Sequence, residues 1–401
     1  MTSRERVQKT LAHQPADRIP NGLGGCETAG LHILAYDKLK KILGVNHRLT
    51  RVDTFMFNAV FEIPILEAIH GDIVLLASPR MCPGRLWGPA NDRDWKDQSL
   101  WNRIIQVPIS DSFKTDEDGS IWWTRTGTVY KCPSKGIFFD PVASHSRREN
   151  TPDYHPPCVI PDELLRKLEE AAKWLYENTS YAINCGETIE DLQLQPGGSA
   201  NWWMRMLDEP DIVHELLDEA CEAGLSQLKL LDQAIGKYTD MLSIAHDFGD
   251  LRGVTIGPAL WREIYKPHYQ KLFAGWHQIT KMKINFHSCG SIADILPDLV
   301  ECGVDVLNPL QISARGMEPS CLKKEFGDKL IFYGGSFDSV QTQPNTPPEI
   351  VYETVKNNIM ELSKNGGYIF AGVHNIPGDI PESHLIAILE AYNDCCKKLK
   401  I

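Results

Sequence analysis

The chain reads as an α/β protein of the (β/α)8 TIM-type barrel class. Three observations predict it. From about residue 180, apolar strand-like runs alternate with amphipathic helical stretches; eight such runs can be counted along the chain; and polar, ligand-type residues gather where the runs end. Strand, helix, strand with short turns means parallel pairing through right-handed crossovers. Eight is the number that closes a barrel. An open doubly wound sheet is the competing architecture, but no Gly-rich phosphate loop follows any of the runs.

Taken in order, Arg18–Leu23 and Asp72–Leu76 read as the first two strands. Tyr181–Gly186, Met241–Phe248, Lys283–His287, Asp305–Leu310, Leu330–Tyr333 and Tyr368–Val373 follow. Between them lie helical stretches such as Pro258–Ile279, Ile292–Cys302, Pro347–Lys364 and Pro381–Leu399. The stretch from about residue 80 to 146 breaks the alternation. It holds Trp87, Trp95, Trp101, Trp122 and Trp123, a turn at Asp116-Glu117-Asp118-Gly119, and in Ser120–Val129 the alternation of a hairpin strand. The expectation is a single domain over residues 1–401 with a Trp-rich β-hairpin insertion at about 80–146 over one mouth. Its aromatics are divided between a small local core and the lining of a pocket.

Composition narrows the function. With 401 residues, 42% hydrophobic and 23% charged, the chain has the balance of a soluble globular protein. No apolar run approaches the length that spans a bilayer. The opening Met1-Thr2-Ser3-Arg4-Glu5-Arg6-Val7 has no apolar core, so no secretory signal is read there. The 11 cysteines are odd in number and scattered, which argues for a reducing cytoplasm over a disulfide framework. A net charge of −12 disfavours nucleic acid, because phosphate binding needs a basic face. The same charge suits docking on a basic patch of a partner protein.

The chemistry concentrates in Ile284-Asn285-Phe286-His287-Ser288-Cys289-Gly290. A strand's period of two points His287 and Cys289 to one face at its end. Alone, a Cys is usually buried filler and a His a satisfied polar group; together at a strand tip they are two thirds of an open zinc site. In barrels of this type the chemistry sits at the carboxyl ends of the strands. Those ends deliver His246 and Asp247, then Asn308 and Gln311, then Gly334, Gly335 and Asp338, and last His374 and Asn375. His374, otherwise a hydrogen-bonded loop residue, is the expected third ligand, since catalytic zinc takes three protein ligands and keeps one position open.

At these residues a resemblance emerges. His287-Ser288-Cys289-Gly290, Asn308-Pro309-Leu310-Gln311, Gly334-Gly335 and His374-Asn375-Ile376-Pro377 resemble the uroporphyrinogen decarboxylase-fold superfamily. Arg4-Glu5-Arg6-Val7 and Asp17-Arg18-Ile19-Pro20 are similar too, so the likeness runs nearly end to end. Within it the match is to the corrinoid-dependent methyltransferase branch. The decarboxylase carries an arginine-rich loop soon after its first strand, which grips substrate carboxylates; here that place reads Leu23-Gly24-Gly25-Cys26-Glu27-Thr28, without arginine.

The resemblance implies a zinc methyltransferase with a His-x-Cys pair and a distal Cys. This chain has His374 at the distal position, so its inferred metal ligands are His287, Cys289 and His374. Two thiolates and a neutral imidazole leave zinc uncharged, whereas two imidazoles and one thiolate leave it at plus one. That makes a better Lewis acid and favours stripping a methyl from an ether over methylating a thiol. The expected function is methyl transfer from a small, chiefly aryl, methyl ether to the cob(I)alamin of a corrinoid carrier protein. His246 and Asp247 would move protons, and Asn308, Gln311 and Asn375 would bind substrate. A homodimer is compatible with this reading. Two other readings stand beside it: methyl transfer from a methylcorrinoid to a small thiol, and a non-catalytic barrel that binds an aromatic ligand.

Overall fold

The computed structural model describes residues 1–45, 49–54, 56–76, 94–125, 128–142 and 159–398. Seven parallel strands build its main sheet: β1 (Ile73–Leu76), β2 (Ala182–Cys185), β3 (Met241–Ala245), β4 (Lys283–His287), β5 (Val306–Asn308), β6 (Ile331–Tyr333) and β7 (Tyr368–Ile369). They pair in chain order from β1 to β7, as right-handed crossovers through intervening helices require. Most strand residues are buried on both faces, and so the runs read as nearly continuous apolar stretches. The register sets Ala245 opposite His287 and His287 opposite Asn308, which levels these carboxyl ends beside one another.

The expected strand Arg18–Leu23 narrows to Pro20–Gly22, with a single parallel bridge from Asn21 to Phe370. Pro20 has no N–H to extend the ladder. The segment still joins the two edges of the sheet. Phe370 N donates to Pro20 O and Gly22 N to Phe370 O on one side, and Asp72 N donates to Asn21 O on the other, each at 2.8 Å. The curled sheet is a TIM-type barrel.

Several strands are shorter than the apolar runs. β3 ends at Ala245 and β7 at Ile369, and a few residues further on the backbone turns to neighbouring loops: Phe248 N bonds Ser288 Oγ at 3.1 Å and Val373 N bonds Phe337 O at 2.7 Å. The stretch Pro258–Ile279 divides into Pro258–Ile264 and Lys266–Ile279, and Ile292–Cys302 into a 3-10 turn at Ala293–Ile295 and a helix at Leu296–Cys302. Each second helix starts with a proline in its first turn, Pro267 or Pro297, whose missing N–H suits that place.

The inserted region leaves the barrel after β1, and its stretches 77–93, with Trp87, and 143–146 lie outside the described residues. Its described part holds a hairpin of Trp95–Leu100 with Arg103–Pro108 and an antiparallel sheet of Ser112–Thr115, Ile121–Arg125, Thr128–Cys132 and Asp140–Pro141. Ser120–Val129 is therefore not one strand but parts of two that pair with each other. Phe57 gathers the aromatics: Phe139 stacks on it at 4.3 Å, with Trp101 at 5.5 Å and Trp123 at 5.6 Å. Phe57 and Trp123 are each 2% exposed, so these rings form a local core.

Closure rests on one carboxylate. Asp72 is fully buried and accepts from Arg6 Nη1 at 2.6 Å, from Arg18 Nη1 at 2.5 Å and Nη2 at 2.9 Å, and from Asn21 N at 2.8 Å. Asp72→Asn should leave the buried Arg6 and the partly buried Arg18 guanidinium short of their shared anion and cost about 3–5 kcal/mol. Urea unfolding would measure it, and a loss below about 1 kcal/mol, the scale of a surface pair, would show that closure does not depend on this group.

Candidate metal centre

Phe286 of β4 faces outward, with its ring 5.6 Å from Tyr269 and 6.0 Å from Phe273 on the covering helix. The strand's alternation therefore turns Asn285 and His287 into the barrel. Past His287 the chain is zipped to the loop that follows β3. Cys289 N donates to Asp247 Oδ1 at 2.8 Å and Gly249 N to Cys289 O at 3.2 Å. Gly290 has φ +83°, and a Cβ there would lie 2.2 Å from the Gly249 carbonyl carbon, so glycine is needed for the loops to approach. The result sets Cys289 Sγ 3.4 Å from His287 Nε2.

His374 arrives from the loop after β7. The ligand atoms of His287, Cys289 and His374 all lie within 4.8 Å of one another, and among the described residues no other three such groups come together in this way. The two imidazole rings stand 5.8 Å apart at 74°. His287 is buried, whereas Cys289 and His374 are half-buried, which places the cluster at the mouth.

His287 is held from behind. Its Nδ1 donates to Asn308 Oδ1 at 2.8 Å, and that oxygen also accepts from Thr28 Oγ1 at 2.7 Å. Asn308 Nδ2 is committed to the Tyr333 carbonyl at 3.1 Å, so its oxygen must face His287. The imidazole is thereby fixed with its proton on Nδ1 and its Nε2 lone pair toward the cluster, the arrangement a metal-ligating histidine needs. The side-chain amide of Asn308, expected to bind substrate, is engaged by His287, Thr28 and the Tyr333 carbonyl. Thr28 was not a sequence candidate, and hydroxyl partners of this kind leave no periodic trace to find.

The electrostatics suit a cation. Burial, with His287 adding to it, lowers His374 to about 4, so it is neutral in the ordinary range. Burial first, and the Asp247 carboxylate second, push the Cys289 thiol up to about 12. A metal must therefore expel the thiol proton on binding.

The remaining predicted residues divide. Asp247 reaches the cluster, with Oδ1 3.6 Å from His287 Nε2 and the side chain 55% exposed. His246 does not join it. Its Nδ1 lies 2.9 Å from Tyr269 Oη, its ring packs 4.0 Å from Phe248 and 4.9 Å from Tyr265, and burial lowers it to about 3. Here His246 is a neutral packing residue under the helices. Gln311 Oε1 accepts from Gly290 N at 2.7 Å and steadies the Cys289 loop. Asn375 Oδ1 accepts from Gly30 N at 2.7 Å, while its Nδ2 finds no acceptor.

Because one proton leaves Cys289, metal affinity should rise about tenfold per pH unit between pH 7 and 8, with His374 neutral throughout and contributing no slope. Chelator competition would measure this, and Cys289→Ser should flatten the slope and weaken binding. Asn308→Ala should lower affinity about 10- to 100-fold through loss of ligand orientation. Full metal occupancy in both Cys289→Ser and His374→Ala would reject the site.

With this geometry in hand, known proteins place the fold. The uroporphyrinogen decarboxylase (URO-D) family model matches residues 196–395, which include the three clustered residues. Among solved structures, a methyltransferase from Methanosarcina mazei is similar over 98% of this chain and 99% of its own, at a TM-score of 0.57 and 15% identity. A Xaa-Pro dipeptidase with bound methionine in its active site aligns over 58% of this chain and 64% of its own, at 11% identity and a TM-score of 0.27, too low to bear on the fold. No curated protein matches the sequence. The chain belongs to the uroporphyrinogen decarboxylase-fold superfamily.

Proposed function

We propose that the chain is a zinc-dependent methyltransferase that takes a methyl group from a small methyl ether, foremost an aryl ether, to the cob(I)alamin of a corrinoid carrier protein. The observation that carries this reading is the convergence of His287, Cys289 and His374 at the carboxyl mouth of a fold shared with a methyltransferase. The donor set fits zinc: two imidazoles and one thiolate leave a fourth position for substrate. Bound there, zinc would supply Lewis acidity at a departing oxygen, and the partner's reduced corrinoid would supply the nucleophile.

The chain's own residues have distinct parts in this reading. Asn308 and Thr28 keep His287 in one tautomer and one orientation. Cys289 gives up its proton and brings the single negative charge of the ligand set. Asp247, exposed and 3.6 Å from His287 Nε2, is the group placed to hold or pass a proton at the mouth. Asn375 Nδ2, buried without an acceptor, is a spare donor beside His374 for substrate. Decarboxylation of a polycarboxylate fits poorly, because the loop Leu23–Thr28 offers a buried carboxylate, Glu27, and no arginine. No described helix is long and apolar enough to cross a membrane. The nine free cysteines described suit the reducing cytoplasm that we assign to it.

The test is methyl transfer from phenyl methyl ethers to cob(I)alamin, read as methylcobalamin absorbance. Phenyl ethers should outpace alkyl ethers, since phenolate leaves more easily than alkoxide. His374→Cys adds a negative charge and should keep zinc yet slow ether cleavage by roughly ten- to a thousandfold, the usual cost of one electrostatic stabiliser. Asp247→Asn should lower kcat more than it raises KM. Wild-type protein inert toward ethers but active in methylating a small thiol would replace the reading with its thiol alternative.

A further inference from the structure

Two of the helices that clothe the barrel, Pro210–Ile235 after β2 and Lys266–Ile279 after β3, pack against each other. Low on the pair the contact is apolar and close: a Cβ at Gly275 would lie 2.7 Å from Leu225 Cδ2. At the end nearer the mouth it is polar. His214 Nδ1 and His268 Nε2 stand 2.8 Å apart, and His268 Nδ1 lies 3.3 Å from Asp218 Oδ1. His268 is 5% exposed, whereas His214 is half-buried and Asp218 exposed.

The partners fix where the protons are. The Asp218 carboxylate only accepts, so His268 keeps its proton on Nδ1, its Nε2 is an acceptor and His214 Nδ1 must donate. A further proton goes to the far Nε2 of His214, and the bond then gains from a charged donor. The next has only His268 Nε2 to go to, and two N–H groups would then face each other across 2.8 Å. Burial, the largest cause, lowers His268 from its ordinary value; Asp218 opposes the shift, and His214 and Lys271 reinforce it. His268 also lies in the first turn of its helix, where the macrodipole disfavours a cation. The other charges nearby are engaged. Lys271 bonds Asp218 at 2.9 Å and faces Glu222 at 3.6 Å, and Arg262 and Lys266 share Asp298 of the next helix. Lys266 also meets Glu301, Arg205 pairs with Glu209 on the preceding helix, and Cys221 Sγ donates to the His268 carbonyl at 3.4 Å.

We propose that this pair is a proton-operated latch: it holds the mouth ends of the two helices together while only one of the facing nitrogens bears a proton, and it opens when acid puts a proton on both. What it secures stands next to the chemistry. The same end of the second helix brings the Tyr269 hydroxyl 2.9 Å from His246 Nδ1 and the Tyr265 ring 4.9 Å from the His246 ring, and His246 directly precedes Asp247. Because His268 is lowered in the closed pair, protonation favours the open one. The latch is fully effective above the ordinary imidazole value of about 6.5 and is lost as pH falls below it.

The test is hydrogen–deuterium exchange on the full-length protein at pH 7.5 and pH 5.0, with rates corrected for the intrinsic effect of pH. In wild type the protection of amides 269–273 should fall about tenfold or more at the lower pH, while that of amides 275–279, below the Gly275 contact, should hold. His214→Gln and His268→Gln should each remove the loss, because an amide can turn either its oxygen or its N–H to the remaining imidazole. Undiminished protection in wild type at pH 5.0, a loss spread evenly over both sets of amides, or a loss that persists in a folded glutamine variant would overturn the latch. If neither variant folds, the imidazole 15N shifts of wild type decide: two well-separated steps for the pair support the latch, and two independent, ordinary titrations overturn it.

Discussion

The buried carboxylate of Asp72 ties the barrel's closure to its chemistry. Its side chain gathers Arg6, Arg18 and the Asn21 backbone, while its main chain bonds Asn21 on one side and Ala182 on the other. A charge at this depth is tolerable only when paired and fully hydrogen-bonded. The pairing fixes where Pro20–Gly22 enters the ring, and from there the loop Leu23–Thr28 rises to the mouth. Thr28 at its end donates to Asn308, and Asn308 holds His287. A contact at the bottom of the barrel is thus linked to a candidate metal ligand at the top through a handful of short, directional bonds.

The same economy governs the mouth. Cys289 lies past the end of β4, where the ladder no longer positions it. Its place comes from backbone bonds to the loop after β3 and from the close approach of Gly290 to Gly249. The ligands are thus held by loops that brace one another, while the strands supply only His287 directly. This matters electrostatically, because burial keeps the thiol protonated and the His374 imidazole neutral until a cation arrives. A cation bound there would have to displace the thiol proton.

Much of this was legible in the sequence, and the part that was not has a physical reason. Strand order follows from periodicity and survives in the structure, and the three candidate ligands, read from where apolar runs end, converge there. The run Met241–Phe248 misled at His246, although strand parity held the correction: Ser243 and Ala245 face inward, so a residue at 246 turns toward the helices, where Tyr265 and Tyr269 enclose it. The contact of Asn308 with His287 could not be read from the sequence, because a strand-end amide looks the same whether it meets substrate or the back nitrogen of an imidazole. Hairpins of the insertion were underestimated where turns lack the usual residues. Trp101 and Asn102 both adopt positive φ between paired strands, a two-residue turn without glycine.

Interior packing then explains why the chemistry sits where it does. On the side of the closing segment the barrel is filled by Tyr333, whose hydroxyl donates to the Gly22 carbonyl at 2.6 Å and whose ring a Cβ at Gly22 would strike at 2.4 Å. On the side of β2, β3 and β4 the positions are Asn184, Ser243 and Asn285, with Ala245 above. Aliphatic residues there would pack as well and carry no orphan acceptor, so the amides are a local cost to stability. Barrel interiors are ordinarily layers of branched apolar side chains, and departures from such local rules concentrate at functional sites. Tyr333 walls off one half of the interior, and the opposite half lies beneath His287 and Cys289. The polar layer and the candidate metal ligand His287 thus lie one above the other along a single strand, β4.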